Sequence, residues 1–346
     1  MTCGPLVDVV VPTYNGNRHL PRLLESLAGQ DCERFSCTVI DDCSPEGIDP
    51  EIRERHSWVR FVVQPKNMGP AHNRNVAAGL GSSPFIAVFD DDTFLEDPGW
   101  LGRAVEVMRA DSGLGQVGAM ILNGFDPNVL LDCGIERVGL VFGGRYHGCR
   151  RDATDGNHLR ARRVLGVCSA GMIMRRDVFE RVGGFDASYY YPCEDLDLSL
   201  RMHLAGFDVR YEPSLVVHHL ESQAMGKSLE RKMYLYRRNC LLTLAENYPA
   251  AEAVRILKTL AGLGLARLRG ASGAGTGWSS GAGAGGFPAT PQDNLVRDYA
   301  RAGLYLASRL MKILRKRRRT AAILKRPRGY LLDIEQNRGE ASCASA

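Results

Sequence analysis

Apolar and polar positions along the first 125 residues follow two alternating periods. Leu6 to Val11 is a continuous apolar run and predicts a buried strand, whereas Leu20, Leu23, Leu24 and Leu27 recur at the spacing of one helix face. Cys37 to Ile40, Val59 to Val63 and Phe85 to Phe89 predict further strands, with a helix over Ala71 to Leu80. Leu101, Val105 and Met108 share one face of a helix from Trp100 to Met108, and a strand over Gln116 to Leu122 follows. Alternation of this kind implies an α/β fold: a mostly parallel, Rossmann-like sheet with helices on both faces.

Beyond Asn123 the pattern loosens, and residues 124 to 163 read as strand and loop. Order returns with a strand-like run from Val164 to Met174, a helix from Arg176 to Val182 and a turn at Gly183-Gly184-Phe185-Asp186. Leu196 to Leu204 predicts a helix beginning near Glu194. Val209 to Tyr211 and Leu215 to Val217 predict short strands, the second running into His218-His219, and Leu229 to Asn247 predicts a Tyr- and Arg-rich helix.

The C-terminal third is different in kind. Residues 1–249 form the α/β domain, 250–269 a basic amphipathic helix, 270–292 a Gly/Ala/Ser-rich flexible linker, and 293–346 a second basic amphipathic helix and tail. That second helix ends in Arg315-Lys316-Arg317-Arg318-Arg319, with Leu304, Leu306, Leu310, Ile313 and Leu314 as its apolar surface. A basic amphipathic helix points to an anionic membrane surface, as an alternative to a solvated charged tail. Nucleic acid is not expected, because aromatic stacking platforms are not interleaved with the basic residues. No run of 18 uncharged apolar residues occurs and the N-terminus shows no export signal, so the chain is expected to be cytoplasmic and peripheral at the inner face of the cell membrane. The ten cysteines form no CxxC pair and read as reduced thiols.

The chemistry concentrates at strand ends. Asp90, Asp91 and Asp92 follow the apolar run Phe85-Ile86-Ala87-Val88-Phe89, and three adjacent like charges call for compensation that a divalent metal supplies most simply. In extended chain Asp90 and Asp92 share a face and Asp91 takes the other. A capping or turn-forming role is the plainer alternative. Loops Pro12-Thr13-Tyr14-Asn15-Gly16 and Asp41-Asp42-Cys43-Ser44 also follow strands, so three strand ends bring polar groups to one sheet edge, where open α/β sheets bind ligands.

The ordered segments VVVPTYNG, VIDDCSPEG, PKNMGPAHNRNVA, VFDDDT, RRDVFERVGGFD, CEDLDLSLR and PSLVVHH resemble family 2 of the glycosyltransferases, with its GT-A fold. The similarity runs from about Val7 to Pro249 and is nearest the rhamnosyltransferase-like and galactofuranosyltransferase-like branch. The resemblance implies an inverting transferase moving a sugar from a nucleotide-diphosphate donor, a dTDP- or UDP-sugar, to a hydroxyl of a glycan or lipid-linked acceptor in cell-envelope polysaccharide synthesis.

It also implies roles. Pro12 and Tyr14 match the first nucleotide-binding loop. Asp42 matches the aspartate on the pyrimidine base, with Asp41 before it, and Arg74 matches a basic residue near base and phosphates. Asp92 matches the direct ligand of Mn²⁺ or Mg²⁺, and Asp90 or Asp91 a contact to ribose or metal-bound water. His219 matches the histidine that completes the metal site, preferred over adjacent His218 by its spacing from Pro213. Asp195 matches the general base, kept ionised by the helix N-terminus at the cost of some basicity, and Glu194 a neighbour that binds acceptor.

The chain departs from the family's processive synthases. It lacks their QxxRW motif, reading Tyr234-Leu235-Tyr236-Arg237-Arg238-Asn239 instead, and their transmembrane helices, so one or a few sugars per acceptor are expected. Other classes are a sugar nucleotidyltransferase, disfavoured because no Gly-rich loop with a following Lys stands near the N-terminus, and a non-catalytic membrane-associated scaffold.

Overall fold

The computed structural model describes residues 4–32, 34–138, 145–146, 151–153, 156–220, 229–252, 254 and 293–335. The 270–292 linker and most of the 250–269 helix predicted above lie outside the described residues.

The first half is built as its periodicity dictates. β1 (Val7–Thr13), β2 (Phe35–Asp41), β3 (Arg60–Val63) and β4 (Phe85–Phe89) pair in parallel in the order β4-β1-β2-β3. Along β4, Phe85, Ala87 and Phe89 enter one core layer while Ile86 and Val88 enter the other, the two-residue period of a strand covered on both faces. The first layer is closed by α1 (Leu20–Ala28) and α4 (Trp100–Ala110), whose Trp100 ring meets Phe89 edge-on at 5.0 Å. The second is closed by α3 (Pro70–Gly79), α5 (Arg176–Val182) and α6 (Glu194–Leu204). A short α2 (Pro50–Arg55), started by Pro50 and capped by Asp49, carries too few apolar positions to show in the sequence pattern.

Beyond β4 the sheet changes character. β12 (Gly171–Arg175) runs antiparallel between β4 and β6 (Leu114–Asn123), and the sheet continues through β7 (Val129–Asp132) to β10 (Arg151–Asp152). β8 (Ile135–Arg137) and β9 (Arg145–Tyr146) form a separate pair, and β11 (Arg162–Arg163) joins the sheet edge. Within Val164 to Met174 only the end is strand, because the earlier amides go elsewhere: Val164 to the Val209 carbonyl, Leu165 to that of Ile135, and Ser169 to the Asp195 side chain. Where two short strands are predicted, a single β13 (Asp208–His219) runs parallel to β6, with its register broken between Glu212 and Val216. Pro213 lies in that break and has no N–H to give the ladder, so the chain bulges and resumes.

α7 (Leu229–Asn247) and α8 (Asp293–Ile323) pack against α6. α8 is helical as its amphipathic pattern predicts, and one face is packed: Tyr299 and Ala302 share a core with Leu196 and Leu200 of α6 and Leu241 and Leu244 of α7. Charge locks the same face. Arg237 and Asp298 pair while both are almost fully buried. Lys316 Nζ lies 2.6 Å from Asp186, 3.0 Å from Asp197 and 2.5 Å from Glu246, and Asp197 also binds Arg201 at 2.7 Å. Burial opposes ionisation of Asp197, but Arg201 and Lys316 outweigh it and hold this carboxyl well below its usual range. Residues 330–335 are helical again and add Leu331 and Ile334 to the same core.

Breaking a buried ion pair leaves charge uncompensated, at a cost of about 3–5 kcal/mol. Lys316→Met is therefore expected to lower unfolding free energy by roughly that amount, read from chemical denaturation, and Lys316→Arg to recover part of it. An unchanged denaturation midpoint in Lys316→Met would mean that α8 is not held through this lysine.

Candidate active site

The ends of β1 and β2 are level, because Thr13 pairs with Asp41 and the Asp42 amide donates to the Thr13 carbonyl at 2.8 Å. The two loops that follow are tied by the Asn15 amide donating to Ser44 Oγ at 2.8 Å. Asn15 and Cys43 hold left-handed backbone at φ 58° and 62°, a conformation that Asn tolerates and that strains Cys. Tyr14 stands on the rim, about a third exposed, and Pro12 is buried in β1. Asp41 and Asp42 organise their own surroundings. Asp41 Oδ1 accepts from the amide and hydroxyl of Ser44 at 3.0 and 2.5 Å, and its Oδ2 is buried without a hydrogen bond. Asp42 accepts the Met68 and Gly69 amides at 2.7 and 2.8 Å, which shapes the entry to α3. Each Asp42 oxygen keeps a further lone pair for a ligand.

After β4 the three aspartates lie in a turn, closed by the Thr93 amide donating to the Asp90 carbonyl at 3.2 Å, and their side chains part there. Asp91 turns toward the first loop, where its Oδ2 accepts the Thr13 hydroxyl at 2.5 Å and the Tyr14 amide also donates to it. Gly16 is obligatory here: a Cβ at this position would lie 2.2 Å from both Asp91 Oδ2 and Thr13 Oγ1. Burial, then the neighbouring Asp92 charge, push the Asp91 carboxyl up to about 7. Asp90 and Asp92 face the other way. β13 brings His219 to them by pairing with β5 (Thr93–Phe94), in the register His218 to Phe94 and His219 to Thr93. One ligand atom each from Asp90, Asp92 and His219 fall within 4.8 Å of one another, and His219 Nε2 lies 3.0 Å from Asp92 Oδ1. His218 points oppositely, stacked on Phe94 at 4.8 Å and near Glu96. Two carboxylates and an imidazole grouped in this way suit Mn²⁺, and Mg²⁺ if water completes the shell.

A second carboxylate pair sits opposite. α6 begins at Glu194 after Cys193, whose left-handed φ of 77° turns the chain sharply into the helix without a side-chain cap. Arg74, on α3 and 2% exposed, joins the two halves: Nη2 lies 2.7 Å from Asp90 and Nη1 2.7 Å from Glu194. Burial alone would weaken its charge, but Asp90 and Glu194 reverse that and hold the guanidinium firmly protonated. Glu194 is pushed up to about 7 by burial, only partly offset by Arg74. Asp195 accepts the Leu196 amide at 2.7 Å and the Ser169 amide at 3.2 Å, and burial still raises its carboxyl. From its place at the helix N-terminus Asp195 is expected to be depressed; desolvation outweighs two amide donors and the helix end, and the sign is opposite.

Some residues here are not signalled by the sequence. Asp132, at the end of β7, is 5% exposed, accepts the Gly134 amide at 2.9 Å and leaves Oδ2 without a hydrogen bond. Burial, aided by the Asp195 charge, pushes it up to about 7. It lies in the aperiodic 124–163 stretch, where no spacing could single it out. Tyr190, at φ 61°, covers Gly69 and donates to Asn67 at 2.8 Å. Arg238 and Asn239 reach the loop before α6, donating to the Tyr189 carbonyl at 2.7 and 3.0 Å, and Asn239 also to that of Pro192 at 2.6 Å. The segment standing where the processive synthases carry QxxRW thus braces the start of α6.

The sheet with its acidic rim defines a GT-A type molecule. Residues 8–183, just over half of the chain, match the model of glycosyl transferase family 2, and the chain belongs to that family. It is 28% identical over 238 residues to the uncharacterized protein y4gI of Sinorhizobium fredii, covering 64% of this chain and 25% of that one. It is 24% identical over 267 residues to the N-acetylglucosaminyl-diphospho-decaprenol L-rhamnosyltransferase of Mycobacterium tuberculosis, covering 70% of this chain and 85% of that one. The chain therefore spans a quarter of the first relative and most of the second. Among solved structures, a mannosyltransferase of Pyrobaculum calidifontis, in complex with GDP-Man and Mn²⁺, shares the fold, with a TM-score of 0.50, 19% identity, and coverage of 100% of this chain and 82% of that one.

Two outcomes follow from this geometry. In a Mn²⁺ titration followed by electron paramagnetic resonance, His219→Ala is expected to weaken binding at least about tenfold and His218→Ala to leave it nearly unchanged. Equal effects would dissolve the distinction between them. Asp132 holds its proton in the fold and releases it when unfolded, so the stability it contributes is present below about pH 4 and is lost as pH rises through about 7. Asp132→Asn should flatten the fall of melting temperature across that window, and an unaltered slope would place the titration elsewhere.

Proposed function

We propose that this protein transfers a single sugar, or a few, from a dTDP- or UDP-sugar to a hydroxyl of a glycan or lipid-linked acceptor, with inversion at the anomeric carbon, in cell-envelope polysaccharide synthesis. The observation that carries this reading is the Arg74 bridge, which fixes the Asp90–Asp92–His219 set and the Glu194–Asp195 pair on either side of one guanidinium. A rhamnosyltransferase-like donor and a lipid-diphosphate acceptor are the favoured pair, by likeness to the mycobacterial relative.

Pro12, Tyr14 and the loop shaped by Asp42 cradle the nucleotide at the sheet edge. Asp90, Asp92 and His219 hold a divalent cation, which when bound neutralises charge on the departing diphosphate. Asp195 accepts the proton of the acceptor hydroxyl as that oxygen attacks the face of the ring opposite the leaving group. Its raised affinity for protons makes it a stronger base than an ordinary aspartate. Glu194, tied to Arg74, orients the acceptor. Attachment at the cytoplasmic face of the membrane, through the basic C-terminal helices, places the enzyme where a lipid-linked acceptor resides.

Nucleotide release should require Mn²⁺ or Mg²⁺ and the correct donor, and that donor's nucleotide should raise the melting temperature by mass action in a screen of UDP, dTDP and GDP sugars. Asp195→Asn should lower turnover at least about 100-fold with donor binding intact. A smaller loss removes Asp195 as the base, and absence of any nucleotide-dependent shift removes the transferase reading.

A further inference from the structure

α8 has two faces, and among the described residues only one is packed. The inner face carries Tyr299, Ala302, Ile313 and Lys316, bound into α6 and α7 as described, and Arg317, which donates to the Ala245 carbonyl at 2.7 Å and to that of Tyr248 at 2.9 Å. The outer face leaves Leu304, Leu310, Met311 and Leu314 exposed by 73%, 53%, 62% and 42%. Leu304, Met311, Arg315 and Arg318 follow one another at intervals of seven, four and three, one line along the helix. Leu310 and Leu314 run beside that line, and Lys312 and Arg319 flank its other side.

The charge on this face has one sign. From Tyr299 to Leu332 there are eleven Lys and Arg and no Asp or Glu. Those on the inner side meet carboxylates or carbonyls; Lys312, Arg315, Arg318 and Arg319 are exposed and meet no acidic partner among the described residues. An apolar stripe bordered by cations complements a surface that is apolar below and anionic above, as the headgroup boundary of an acidic bilayer is. No described helix is long and apolar enough to cross a membrane, so the contact is one of lying on the surface.

We propose that the outer face of α8, through Leu304, Leu310, Met311 and Leu314 with Lys312, Arg315, Arg318 and Arg319, lies flat on an anionic lipid surface. This deepens the membrane attachment proposed above, rests on that reading, and is independent of the sugar chemistry. It differs from the sequence picture in the residues used: Leu306 and Ile313 pack inward, and Lys316 and Arg317 are bound internally. Because Lys316 also holds Asp197 on α6, a helix resting on lipid fixes the orientation of the whole catalytic sheet rather than tethering it on a string.

The test is flotation of the full chain with phosphatidylcholine vesicles, with and without phosphatidylglycerol, in the absence of any nucleotide sugar. The wild type should float only with the anionic lipid and be released by salt. Each basic residue near the surface is worth about fivefold in partitioning, so Arg315→Gln with Arg318→Gln and Arg319→Gln should lose on the order of a hundredfold. Met311→Ser with Leu314→Ser should also abolish flotation, and unchanged melting temperatures would show both variants folded. A wild type that stays unbound overturns the proposal. So does undiminished binding by both variants, which would put the contact elsewhere, in residues 250–292 for example. Self-association that Met311→Ser with Leu314→Ser dissolves would also overturn it, since a second copy would then cover the face.

Discussion

One guanidinium holds the acidic rim together. Asp90, Asp91, Asp92, Asp132, Glu194 and Asp195 gather at the end of one sheet, and burial disfavours charge on several of them. Arg74 sits between Asp90 and Glu194, at 2.7 Å from each, almost wholly shielded from water. Without it the carboxylates after β4 and at the start of α6 would repel across a low-dielectric gap. Its own charge is secure because it has two partners, so the bridge stabilises in both directions. The position of Arg74 depends in turn on Asp42, whose grip on the Met68 and Gly69 amides fixes where α3 begins.

The same logic extends outward. The start of α6 is set from above by Arg238 and Asn239 on the 189–192 carbonyls, and from behind by Lys316 and Arg201 on Asp197. Among the described residues the left-handed non-glycine positions, Asn15, Cys43, Tyr190 and Cys193, all lie on loops around this rim. Such conformations are costly and persist only where neighbouring contacts over-determine them, as the Asn15–Ser44 and Tyr190–Asn67 hydrogen bonds do here.

Much of this was legible in the chain. Strands and helices through Leu122 show because their apolar residues have a single period each, and a sheet covered on both faces leaves long apolar runs such as Phe85 to Phe89. The divergence of His218 from His219 follows from strand alternation, whereas Asp91 parts from Asp90 and Asp92 in a turn where extended chain is expected from the sequence. Other features depend on partners distant in sequence. Nothing near Asp195 announces that burial will raise its carboxyl, because the burial comes from elements packed against α6. Asp132 stands in a segment without periodicity. Lys316 sits within a run of five basic residues that reads as uniformly outward-facing, toward a membrane surface or water, and only its inward-facing register separates it from Arg315 and Arg318.

The bulged strand β13 has a consequence for how kinship and chemistry divide along this chain. The family is recognisable from residues 8–183, which hold the loops after β1 and β2 and the aspartate triplet. Glu194, Asp195 and His219 all come later, and His219 arrives only because the chain resumes pairing after Pro213 and runs on to β5. A descendant cut short or shifted by one residue beyond that proline would keep every hallmark of ancestry and lose the imidazole from the Asp90–Asp92 cluster. Membership would then survive the loss of that cluster.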